Sequence, residues 1–141
     1  MPKIGLFNMA FGFAVMAFAA AAGGFIAWDI NQMALEGGKE ISDWSIMLRR
    51  SAHGHTNLFG MIHILFGLTL PYSTFSLKLK KLQSIGLVLG TIAVSVGLFL
   101  QSYKGPTSSI DLLGLVEGAF LSCALVAIAS HSYSLFFKFK N

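Results

Sequence analysis

Long apolar runs alternate with short polar stretches along the chain, and none of the runs shows a period of two. Four runs reach the roughly 20 residues that a helix needs to cross the hydrocarbon of a bilayer. They cover residues 4–28, 51–72, 82–103 and 110–137. The missing alternation argues against a membrane β-barrel, whose strands turn every second side chain to lipid. Helix breakers fall between the runs, at Gly37-Gly38, Pro71 and Gly105-Pro106. Ser108, three residues before Asp111, predicts a capping box at the start of the fourth helix. The pattern predicts an all-α integral membrane four-helix bundle, a single domain of four transmembrane helices.

Composition agrees. Only 11% of the 141 residues are charged and 55% are hydrophobic, where a soluble domain carries about 25% charged residues. Lipid must replace water over much of such a surface. The net charge of +4 does not point to nucleic acid, because the basic residues lie between apolar runs and form no single patch. The one cysteine, Cys123, lies inside the fourth run and reads as a small packing residue. Lys3, the apolar core behind it and the small residues Ala19 to Gly24 also fit a cleaved signal peptide. The apolar run of about 25 residues is longer than a usual signal core, which favours a retained span.

Charge then sets orientation. With four spans, Lys3, Lys78, Lys80, Lys81, Lys138 and Lys140 share one side, and Asp29, Glu36, Glu40, Asp43 and Asp111 share the other. The lysine-rich side is cytoplasmic by the positive-inside rule, so both termini face the cytoplasm of a bacterial or archaeal plasma membrane. The loop from Asp29 to Arg50 faces out, with Asn31 to Asp43 expected along the membrane surface. Gly86 and Gly90, Gly114 and Gly118, and the segment Ala19 to Gly24 read as close-packing positions.

The polar residues within the spans carry the chemistry, since an ionisable group in a bilayer needs a partner or a function. All four histidines lie there: His53, His55 and His63 in the second span, His131 in the fourth. His53, His55, Asn57, Gln101 and Glu117 are expected at similar depth. His53 and His55 point to nearly opposite faces of a helix, and His63 projects about 80° from each, at roughly 100° per residue. One metal between His53 and His55 is therefore disfavoured, whereas two cofactors, one on each side, are not. Imidazole is the commonest axial ligand of haem iron. Arg49 and Arg50, one turn before His53, suit haem propionates. Glu117 is a candidate proton-handling group or metal ligand, or a buried hydrogen-bond partner of Gln101.

The stretch Ser51-Ala-His-Gly-His-Thr-Asn-Leu-Phe-Gly60 resembles a ligand helix of the haem–copper oxidase superfamily, closest to the nitric-oxide reductase catalytic subunits. The resemblance covers roughly 20 residues of the second span. In that family an Ala-His-x-His motif serves two haems, and a helix reading His-Thr-Asn-Leu carries a low-spin haem ligand. The family's twelve helices form three arcs of four, with ligands mainly on the second helix of each arc. The resemblance therefore implies a homotrimer of four-helix modules, with haem b on His53 and His55. It leaves His63 for a haem or a second metal, copper or non-haem iron. It implies an oxidoreductase serving electron transfer or O2/NO chemistry, with an external electron donor, since the chain has no cytochrome c or cupredoxin domain. The His-Pro-Glu-Val-Tyr stretch and the His-His pair of the oxidase copper site are absent. The rival readings are a cofactor-free proton or metal-ion transporter or channel, and an accessory subunit of a respiratory complex.

Overall fold

A computed structural model describes residues 3–36, 43–106 and 111–140. These form four helices: α1 (Lys3–Glu36), α2 (Asp43–Thr69), α3 (Leu77–Gln101) and α4 (Leu112–Lys140). No strand occurs among the described residues. Local chemistry sets the joints. Proline disfavours the α conformation in the residue before it, and α2 passes at Leu70–Tyr72 into a short 3₁₀ turn containing Pro71. Ser76 caps α3, its hydroxyl accepting the Leu79 amide. Asp111 caps α4, its carboxylate accepting the Gly114 amide at 2.8 Å. Ser108, the other half of the expected capping box, lies outside the described residues, as do Gly37-Gly38 and Glu40.

The helices overrun the expected spans. α1 continues past Trp28 through Asp29 and Asn31 to Glu36, so the first part of the expected surface segment is the end of α1. α2 begins at Asp43, well before Ser51, and α3 at Leu77, taking in Lys78, Lys80 and Lys81. Apolarity marks where lipid contact would end; backbone hydrogen bonding in a helix has no reason to stop there. α4 likewise runs past Phe137 to Lys140.

Three of the four helices are long and apolar enough to cross a membrane: Lys3–Gln32, Leu77–Gln101 and Leu112–Phe139. The 27-residue α2 has the length, but Asp43, Arg49, Arg50 and its three histidines lower its apolarity. Its position explains how it carries them. α2 and α3 form the middle of the bundle, and Phe59, Phe66, Leu70, Leu87, Val94 and Ala124 make the core between α2, α3 and α4. In the apolar stretches of α1 and α4 only 11% of residues are buried, against 44% in α3. These outer helices expose Phe7, Phe13, Phe18, Phe25, Val126 and Phe136, a surface suited to lipid.

Helices pack antiparallel, and glycine sets their separation. A side-chain carbon on Gly12 would fall 2.5 Å from the Gly60 carbonyl oxygen, and one on Gly67 would fall 2.5 Å from that of Gly5. Between lipid-facing helices, where hydrophobic burial gives little, such close contact supplies the attraction. Of the expected pairs, Gly86 and Gly90 do lie against α4, at Cys123 and Ala124. Gly118 faces open space and makes no such contact. The terminal end of the bundle holds Lys3 and the α2–α3 turn, and its far end holds Asp29, Arg49 and Lys104. Near the far end, Ala93–Gly97 of α3 is a π-helical turn, a feature frequent at functional sites.

Candidate functional site

The histidines differ in what their ring nitrogens are bonded to. His53, half-buried against α1, places Nδ1 3.0 Å from the Ala19 carbonyl oxygen. A carbonyl only accepts, so Nδ1 carries the proton and Nε2 holds the lone pair. That nitrogen's hydrogen-bond contact is the Asn57 amide nitrogen at 3.4 Å, which also donates to the His53 carbonyl at 3.1 Å. His55, exposed on another face of α2, repeats the arrangement, with Nδ1 2.8 Å from the Ser51 carbonyl oxygen. Its Nε2 has no hydrogen-bond partner among the described residues. Histidines that bind metal characteristically donate their other N–H to a carbonyl or carboxylate in this way.

His63 differs. It is fully buried, with Nδ1 3.0 Å from Asn8 Oδ1 on α1 and Nε2 3.0 Å from the Thr91 hydroxyl on α3. Asn8 donates onward to Ser84 and to the Ile4 carbonyl, both at 2.8 Å, which leaves its oxygen to accept from His63. The neutral ring then donates through Nδ1, and its Nε2 lies against the Thr91 hydroxyl, whose one proton is shared with the Leu87 carbonyl at 2.8 Å, so both ring nitrogens are engaged. His131 contacts the Thr69 hydroxyl at 2.8 Å and the Phe66 ring at 4.5 Å, joining α4 to α2.

The two arginines also part. Arg49 bridges three helices: its guanidinium is 3.2 Å from Asp29 on α1 and 3.4 Å from the Ser102 hydroxyl just past α3. It also stacks 5.0 Å from the Tyr103 ring. Its side chain is 12% exposed, and its charge is already matched. Arg50 has no ion-pair partner among the described residues and lines a groove with His53.

That groove, about 720 Å³, runs along α1 and α2 at the far end. Its α1 wall is Ala20, Gly23, Ala27 and Ile30, small or apolar residues on one helix face, and Asn31 and Arg50 add polar groups to its lining. The volume falls within the range of cofactor sites, roughly 300–1,000 Å³. A second hollow, about 460 Å³ and apolar, lies on the other side of His53 against Thr56, Ser95 and Phe99. Gly23 makes room for the imidazole: a side-chain carbon there would fall 2.5 Å from His53 Cε1. Gly23→Val should therefore turn the ring out of place and weaken any ligand on it by about tenfold or more. Gly24→Val, facing open space, is the matched control with the same change in backbone propensity. Ligand content per folded protein, read by absorption, checks the pair.

The residues expected at similar depth separate into groups. His53 lines the α1–α2 groove, Asn57 contacts His53 from one turn further along α2, and His55 stands outside the groove. Glu117 and Gln101 meet between α3 and α4 at 2.6 Å in a part-buried hydrogen bond, the pairing that the sequence allowed for. Among the described residues no three of His, Cys, Asp or Glu converge on a point that could hold a metal ion. Sequence reasoning missed Asn8, Thr91, Asp29 and Gly23. Asn8 was visible as an amide within an apolar run, but its partner was not. Comparison with family models, with curated proteins and with solved structures finds no match to this chain.

Proposed function

We propose that the chain inserts all four helices in a membrane and binds b-type haem in the α1–α2 groove, with His53 as axial ligand. The observation that carries this reading is the pairing of a ligand-competent His53 with Arg50 in one groove. The Nδ1 proton is committed to the Ala19 carbonyl, so Nε2 presents its lone pair without further rearrangement than the loss of one long contact to Asn57. Arg50 supplies the cation for a propionate. The small residues Ala20, Gly23 and Ala27 leave a flat apolar wall against which a planar ring can lie. Bound there, haem would supply one-electron redox chemistry and a site for a small gas. The protein's part is to fix the imidazole, pair the propionate and keep water from the apolar wall.

α2 crosses the membrane in this reading with part of its polar surface turned to protein and with Arg50 and His55 left for cofactors or a neighbouring copy. His63 and Thr56 are buried, and Arg49 is ion-paired. The lysine-rich terminal end lies in the cytoplasm. His55 presents a second competent imidazole on a face that the single chain leaves uncovered. A homotrimer would cover that face, and a cofactor shared between copies would use it. Electrons would come from an external donor. His63 is left out of the ligand set because both its nitrogens are engaged.

The test is an absorption spectrum of the detergent-purified protein, oxidised and dithionite-reduced, with a pyridine haemochrome assay. A Soret band with sharp reduced α bands supports the reading. A protein that stays colourless after haem is added overturns it.

A further inference from the structure

Glu117 is the one acidic side chain of the described residues set between α3 and α4 within the apolar stretch, and the haem reading gives it no task. Its carboxyl enters the space at the π turn of α3, where a side-chain carbon on Gly97 would overlap Oε1 and Cδ. Oε2 accepts the Gln101 amide at 2.6 Å. Oε1 is buried and has no hydrogen-bond partner among the described residues. An ionised carboxylate takes acceptor bonds on both oxygens, and here one oxygen has none.

The charged groups around it are spent elsewhere. On the α3 side the nearest cation is Lys104, paired with Asp111 at 2.7 Å. On α2, Arg49 is paired with Asp29. On α4 itself, the neighbours one turn away are Leu113 and Gly114 on one side and Phe120 and Leu121 on the other. Glu117 is half-buried, but a charge shared onto a buried oxygen that has neither hydrogen-bond partner nor counter-ion among the described residues is costly in an apolar setting, and a proton on that oxygen lowers the cost. A metal cation fits less well. Sodium or calcium needs about six oxygen ligands, and Gln101 turns an N–H toward the carboxyl.

We propose that Glu117 is a proton-binding site, carrying its proton on Oε1 at the gap beside Gly97 and exchanging it with water at the far end of the bundle. Asp111 lies six residues earlier on the same helix, roughly 9 Å along the axis. Lys104 beside it, with the Gly114 amide, holds the Asp111 carboxyl below its ordinary range, so a fixed carboxylate stands where a proton would enter. The inference does not depend on haem, and a colourless protein would leave it standing.

The experiment treats the full-length protein in lipid vesicles with dicyclohexylcarbodiimide at neutral pH, followed by peptide mass spectrometry. The reagent adds to protonated carboxyls in apolar surroundings. The adduct is expected on Glu117 in at least about tenfold excess over Asp111, whose carboxylate is exposed and held by Lys104. It should fall as pH is raised and vanish in Glu117→Gln. Infrared spectra should show a protonated-carboxyl band at neutral pH in the wild type that Glu117→Gln lacks. An unlabelled Glu117, together with identical infrared bands in the two proteins, would overturn the proposal and leave a structural hydrogen bond to Gln101.

Discussion

His53→Ala should lose at least about a hundredfold in haem affinity, the upper end of what loss of a mere supporting contact costs a metal site. The fold should survive it. The hydrogen bond from His53 Nδ1 to the Ala19 carbonyl is worth about 1 kcal/mol or less, and half-buried His53 lines hollows on two sides, so its removal leaves no sealed cavity. Far-UV circular dichroism should therefore match the wild type while the Soret band disappears. His53→Gly, with free imidazole in the buffer, should regain part of that band, because the added base can occupy the vacated place. His55→Ala should leave the groove-bound haem in place, since its ring lies on another face of α2 and bonds only to Ser51. Full haem retention in His53→Ala would remove the ligand assignment. Loss in both single variants would instead place one haem between copies.

The sequence was most informative where one residue type has one physical meaning. Apolar runs of membrane length located α1, α3 and α4, and the lysine and acid distribution matched the two ends of the bundle. The separation of His53 from His55 followed from helical geometry alone. What could not be read were contacts between distant residues. Arg49 and Arg50 look equivalent in sequence, yet one is held by Asp29 and Ser102 while the other faces the groove. Asp29 looked like a loop residue because α1 was expected to end where its apolar run ends. The close α1–α2 approach rests on Gly12, Gly60 and Gly67, which are spaced by seven or lie on different helices. The expected four-residue glycine pairs therefore pointed to α3 and α4 instead. The π turn left no sequence mark, since it is defined by a shift in hydrogen bonding.

His63→Ala should produce the opposite result to His53→Ala: a destabilised protein that still binds haem when folded. The imidazole is 0% exposed and joins α1 to α3 through α2, so two effects add. Truncating a large buried side chain to alanine costs about 2–5 kcal/mol in soluble cores. The hydrogen bonds lost add less. Asn8 keeps its bonds to Ile4 and Ser84, and Thr91 keeps the Leu87 carbonyl at 2.8 Å, while an interhelical bond in a membrane averages about 0.6 kcal/mol. The cavity should therefore dominate, giving about 3 kcal/mol in all. His63→Leu separates the two terms, because leucine fills most of the space and restores no hydrogen bond; it should cost about 1 kcal/mol. Unfolding in mixed micelles with increasing dodecyl sulfate, followed by circular dichroism, measures both. Equal costs for alanine and leucine would show that the polar network, rather than packing, holds the centre of the bundle. A His63→Ala protein with unchanged unfolding midpoint and no haem would move His63 from the core into the ligand set, and would require Asn8 and Thr91 to release it.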